Sequence, residues 1–60
     1  MKKPTLEEFK KRVEESLMKN YNDTIEEAKK SVKDYEVDFP MFLRENWSPD
    51  LVATAIVQGF

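Results

Sequence analysis

The chain has 60 residues and a formal charge of −2, with 37% charged and 40% hydrophobic residues, one glycine, and neither histidine nor cysteine. Disulfides are therefore excluded, a zinc centre loses its usual ligands, and general acid–base chemistry loses its most frequent carrier. A chain this short buries only about 60% of its unfolded surface, and its core contributes roughly 3–5 kcal/mol net, so helix packing, self-association or a partner must supply the rest.

The charge is unevenly spread. Residues 1–33 carry nine Lys/Arg and seven Asp/Glu, whereas residues 34–60 carry Arg44 against Asp34, Glu36, Asp38, Glu45 and Asp50. Met1-Lys2-Lys3 has the charge of a signal-peptide start, but Pro4-Thr5-Leu6-Glu7-Glu8-Phe9-Lys10 follows where an apolar stretch should be. No segment reaches the roughly 18 apolar residues of a membrane span. The chain is expected to be soluble and cytoplasmic, with no membrane role.

The first predicted helix covers 6–20. Thr5 with Glu8 forms a capping box, and Leu6, Phe9, Val13, Leu17 and Tyr21 recur at spacings of 3 and 4 on one face. Glu7–Lys11, Glu8–Arg12 and Glu15–Lys19 are acid-first i,i+4 pairs, each worth about 0.2–0.5 kcal/mol in an isolated helix. After a polar turn, Asp23 with Glu26 repeats the capping pattern and predicts a second helix over 25–36, with a thin stripe of Ile25, Ala28, Val32 and Tyr35. The short turn makes the pair an αα-hairpin.

Phe39 precedes proline and is biased away from helical geometry, whereas Pro40 suits a first helical position; a short third helix is expected over 40–46. Ser48-Pro49-Asp50 is an N-cap, a proline at N1 and an acid near the positive helix end. The fourth helix runs over 49–58, with Gly59 placed as a C′ residue and Phe60 folding back on it.

Three patterns invite a chemical reading. Asp34, Glu36, Asp38 and Glu45 occupy positions 1, 3, 5 and 12 of a calcium-loop frame, but Phe39 stands where that loop needs glycine and Pro40 follows. Lys10-Lys11-Arg12, with Lys2 and Lys3 upstream, could touch phosphates, yet glutamates interrupt every basic run and the fourth helix has no cation. Ser16, Ser31 and Ser48 lack an evident base and read as helix-face or capping residues.

The fourth helix is the most suggestive segment. Leu51, Ala55 and Gln58 mark one side, Val52, Ile56 and Gly59 a second, and Ala53, Val57 and Phe60 a third. A helix apolar all round is enclosed or pressed against something. The large side chains just before it, Phe39, Met41, Phe42, Leu43 and Trp47, suit cores and interface anchors alike.

These features predict a single all-α domain over 1–60: a small helical bundle, in which an αα-hairpin is joined by a short third helix and an apolar C-terminal helix packed against the hairpin. The expected core is Leu6, Phe9, Val13, Leu17, Ile25, Val32, Phe39, Phe42, Trp47, Leu51, Ala55 and Ile56. The expected function is that of a non-catalytic protein-interaction or self-associating module, an adaptor, inhibitor or regulatory subunit, with no cofactor, metal or small-molecule substrate. Its contact surface is expected at Val52, Ala53, Val57, Phe60 and Trp47, with a protein partner or a second copy in a homodimer. The alternative is a small dimeric DNA-binding regulator, which the acidic net charge disfavours.

Overall fold

The computed structural model describes residues 4–59. Four α-helices, α1 (Leu6–Asn20), α2 (Ile25–Asp34), α3 (Phe39–Arg44) and α4 (Pro49–Gln58), form an all-α bundle, with one turn of 3-10 helix at Glu36–Asp38 between α2 and α3. The radius of gyration of 10.4 Å matches the roughly 10.4 Å expected of an isolated domain of this length.

α1 is the central element and packs against each of the other three α-helices, most extensively against α4. It starts where the capping box places it. The Thr5 hydroxyl accepts the Glu8 backbone N–H at 3.1 Å, and the Glu8 carboxylate accepts the Thr5 backbone N–H at 3.2 Å. Phe9, Val13 and Leu17 are buried along its inner stripe, and Leu6 packs against them half-covered. Among the described residues, the three i,i+4 pairs expected on its outer face do not close into ion pairs. The ion pair instead joins Lys10 to Glu36 at 3.2 Å, tying α1 to the 3-10 turn.

The α1–α2 connection differs by one residue from expectation. Thr24, not Asp23, is the N-cap, and Glu27, not Glu26, completes the box. The cause is the end of α1. Asn22 adopts a left-handed conformation at φ 59°, and the Asp23 N–H returns to the Leu17 carbonyl at 3.3 Å. Asp23 is thereby committed to closing α1, and Thr24 is the first residue free to open α2.

α2 ends at Asp34 rather than 36, because the chain tightens into the 3-10 turn. α3 then starts at Phe39, whose φ of −61° and ψ of −40° are helical despite the proline that follows. Packing overrides the local bias here. The Phe39 ring is fully buried, edge-on to Phe9 at 5.8 Å and to Phe42 at 5.7 Å between centroids. Burying such a side chain contributes about 1.5–3 kcal/mol, and edge-to-face pairs add to that.

α3 stops at Arg44, two residues short of expectation, in a Schellman motif. Asn46 is left-handed at φ 62°, the Trp47 N–H returns to the Phe42 carbonyl at 3.0 Å, and the Asn46 N–H to that of Leu43 at 3.2 Å. The apolar contact that accompanies this motif is the Phe42–Trp47 ring pair, 4.7 Å between centroids. α4 opens on Ser48, whose hydroxyl accepts the Leu51 N–H at 3.1 Å, and closes on Gly59 at φ 70°. The expected fold-back of Phe60 lies outside the described residues.

The core comprises Phe9, Val13, Leu17, Ala28, Val32, Phe39, Phe42, Val52, Ala53 and Ile56, flanked by half-buried residues that include Leu6, Tyr35 and Trp47. Two expected members are displaced: Ile25 is 53% exposed and Leu51 is 51% exposed. Ile25 follows its N-cap directly and lies along the open groove between α1 and α2, beside Lys11 and Lys29, rather than beneath it. Leu51 is out because of the rotation of α4. Ala55, also expected inside, is only partly covered.

Candidate contact surface on the fourth helix

Nine of the ten residues of α4 are uncharged, so hydrophobicity alone gives the helix little preference for one rotation about its axis. Polar contacts to the C-terminal half of α1 supply that preference. Ser16, a polar residue buried on α1, donates its hydroxyl to the Asp50 carboxylate at 2.6 Å. Asn20, one turn further along α1, donates its side-chain amide to the Ser16 hydroxyl at 3.0 Å and reaches the same Asp50 oxygen at 3.5 Å.

A second contact lies one turn further along α4. The hydroxyls of Tyr21 and Thr54 stand 2.7 Å apart, and Thr54 donates its single proton to the Asp50 carbonyl at 3.0 Å. Tyr21 is therefore the donor to Thr54. Asp50 and Thr54 lie one turn apart along α4, and together they fix which side faces α1.

The rotation so fixed buries Val52, Ala53 and Ile56. This corrects the expected contact surface: Val52 and Ala53 have no exposed area and belong to the core. Val57 remains 50% exposed. Phe60 lies outside the described residues. Trp47 is half-buried against Phe42, and its indole N–H donates to Glu45 at 3.4 Å, so most of its surface serves the end of α3.

The side of α4 turned away from the core presents Leu51, Ala55 and Gln58, spaced i, i+4 and i+7 and therefore aligned in one strip, with Thr54, bonded to Tyr21, at its edge and Val57 beyond it. Asp50, the one charged residue of α4, is held to α1 at the strip's edge, leaving the strip itself uncharged. The contrast with the hairpin is sharp: the outer faces of α1 and α2 present Lys11, Glu15, Glu26, Lys29, Lys30 and Lys33, all exposed. Leu51 and Ala55 were both expected in the core. The signal that relocates them is the Ser16–Asn20 pair, polar residues at i,i+4 on the inner edge of α1 waiting for a partner.

Shallow concave features lie between these helices, one of them at the Ser16, Asn20 and Asp50 junction itself. A cleft of about 190 Å³ is lined by Phe9, Leu43, Trp47 and Pro49, with Arg12 as its ionisable wall residue; its volume falls below the roughly 300–1,000 Å³ of small-molecule sites. The α1–α2 groove alternates Glu7, Glu14, Lys11 and Lys29 around Ile25. Among the described residues, no group of three acidic side chains is placed to hold a metal ion; Asp34, Glu36, Asp38 and Glu45 are distributed over the end of α2, the 3-10 turn and the end of α3. No helix among the described residues is long and apolar enough to cross a membrane.

Two carboxylates are perturbed. Glu8 and Glu27 are held below the ordinary glutamate value, chiefly by the hydrogen bond each accepts from the N-cap backbone and then by the threonine side chain; for Glu8 the Arg12 charge adds to this. Both belong to capping boxes on exposed helix starts.

No family model, curated protein or solved structure matches the chain.

Proposed function

We propose that this chain is a small non-catalytic helical module that acts by protein–protein contact, self-association included, through the outward strip of α4. One observation carries the reading: Leu51 and Val57 are each half-exposed on a helix whose single charged residue is bonded to α1. An exposed apolar strip gains about 25 cal/mol per Å² when covered, before the costs of association. Within this reading the module acts in the cytoplasm.

The test compares wild type with the double variant Leu51→Lys/Val57→Lys, in two assays. Light scattering across a concentration series measures mass, and affinity capture from host lysate measures bound protein. The variant is expected to keep its helical circular dichroism while losing whichever association the wild type shows. A wild type that stays monomeric, and that captures nothing the variant fails to capture, overturns the reading.

A further inference from the structure

Independently of any partner, we infer that α4 has two rotational positions against α1 and that a polar latch selects between them. The latch has two parts. The Ser16 hydroxyl donates to the Asp50 carboxylate at 2.6 Å, with the Asn20 amide 3.5 Å from the same oxygen. Tyr21 meets Thr54 at 2.7 Å between hydroxyls.

The latch holds a position that the apolar pattern of α4 does not require. In it Val52, Ala53 and Ile56 are buried while Leu51 is 51% exposed. Leu51, Val52, Ala55 and Ile56, spaced i, i+1, i+4 and i+5, also share one side of a helix. The two positions differ by a turn of roughly 80° about the helix axis, at about 3.6 residues per turn. The second position sets Leu51 and Ala55 in the core in place of Ala53, turns Asp50 and Thr54 outward, and gives up both parts of the latch. A net hydrogen bond and the burial of half a leucine are similar in size, so the two positions lie close in free energy and the latch decides.

The latch is also reachable. Asp50 and Asn20 are exposed, and the junction opens to solvent as a shallow concavity whose rim carries Arg12, Glu15 and Lys19. A group that takes Asp50 as its own hydrogen-bond partner shifts α4 toward the second position, to the extent that it binds that position better. The presented surface changes with it: Leu51 faces solvent in the first position, Ala53 and Val57 in the second.

Because the chain has no cysteine, two introduced thiols read the rotation. Ala53→Cys falls at a position with no exposed area and Ala55→Cys at one only partly covered; both leave Leu51 in place. The ratio of their labelling rates with N-ethylmaleimide, Ala55→Cys over Ala53→Cys, is measured with the latch intact and after Ser16→Ala, Asn20→Ala and Tyr21→Phe together, which remove its α1 half without altering α4. With the latch intact the ratio is expected to be about ten, because a thiol at 53 reacts only when α4 opens. Without the latch it is expected to fall below one, a shift of about tenfold or more in the balance of the two positions, with the helical circular dichroism kept. Adding Leu51→Lys to the latch-free chain is expected to bring the ratio back above one, since an unpaired lysine resists burial; general loosening of the helix does not reverse in this way. A latch-free ratio that stays above one overturns the two-position account. So does loss of the helical signal on latch removal, which means that no second position holds, and so does failure of Leu51→Lys to restore the ratio.

Discussion

α2 and α4 are both ten residues long, both open on a side-chain N-cap and both pack against α1, yet they solve the same problem with opposite compositions. α2 carries six charged residues and buries Ala28 and Val32; α4 carries one and buries Val52, Ala53 and Ile56. In α2 the pattern of apolar residues selects the buried side by itself, as expected of an amphipathic helix. In α4 almost any rotation would bury apolar atoms, and hydrogen bonds from Ser16 and Tyr21 do the selecting. Where apolar residues surround a helix, polar contacts decide its orientation, and the apolar side left over becomes the surface to examine for function.

Three perturbations bear on that comparison. The largest acts on the shared core that both helices depend on. Phe39→Ala removes the ring between Phe9 and Phe42, at a cost of about 3–5 kcal/mol, comparable with the whole roughly 3–5 kcal/mol net contribution of a core this size. The variant is expected to be largely unfolded at 25 °C by circular dichroism, taking α2 and α4 down together.

Caps come next, and here the helices should respond alike. Thr24→Ala and Ser48→Ala each remove the hydroxyl that accepts an N-terminal backbone N–H, and each is expected to cost about 1 kcal/mol in urea denaturation. Equal losses place the difference between the helices in their faces rather than in their starts.

The smallest perturbation, acidification, tests the capping boxes of α1 and α2. Glu27 and Glu8 have folded-state pKa values below the ordinary 4.5. Their stabilising contribution is therefore complete above about that value and is lost as pH falls through the lowered folded value. α4 is capped by Ser48, whose hydroxyl does not titrate in this range. Amide hydrogen exchange followed from neutral pH to below 4.5, after correction for intrinsic rates, is expected to show the first turns of α1 and α2 loosening.

Much of the architecture was legible in sequence because its signals are local. Thr5 with Glu8, Ser48 with Pro49, and Gly59 each fix a helix end through bonds to residues three or four positions away, and all three stand where they were expected. Phe9, Val13 and Leu17 followed from periodicity. What failed was decided at long range or by a competing local bond. Phe39 is helical before proline because its ring fills the space between Phe9 and Phe42. Thr24 displaced Asp23 because Asp23 serves the end of α1. Asn46 and Trp47 end α3 early through a motif whose apolar clasp, Phe42 with Trp47, is a sequence signal readable in retrospect.

The exposure pattern of α4 was legible only in part. The surplus of apolar residues on α4 was plain in the sequence, and Val57 is half-exposed. Val52 and Ala53 are buried and Leu51 half-exposed, the reverse of expectation, because rotation of α4 is set by partners 33 and 34 residues away in sequence, which periodicity does not register.

The rotation of α4 is the central claim, and lysine substitution at two adjacent positions tests it most directly. Thermal unfolding of Leu51→Lys is expected to leave the transition within a few degrees of wild type, since a surface change typically stays within about 0.5 kcal/mol. Val52→Lys is expected to abolish the cooperative transition, because it forces an unpaired charge into the core. Equal destabilisation by the two variants, or greater loss from Leu51→Lys, would contradict the assignment of Leu51 to the outer strip and remove the basis for the proposed contact surface.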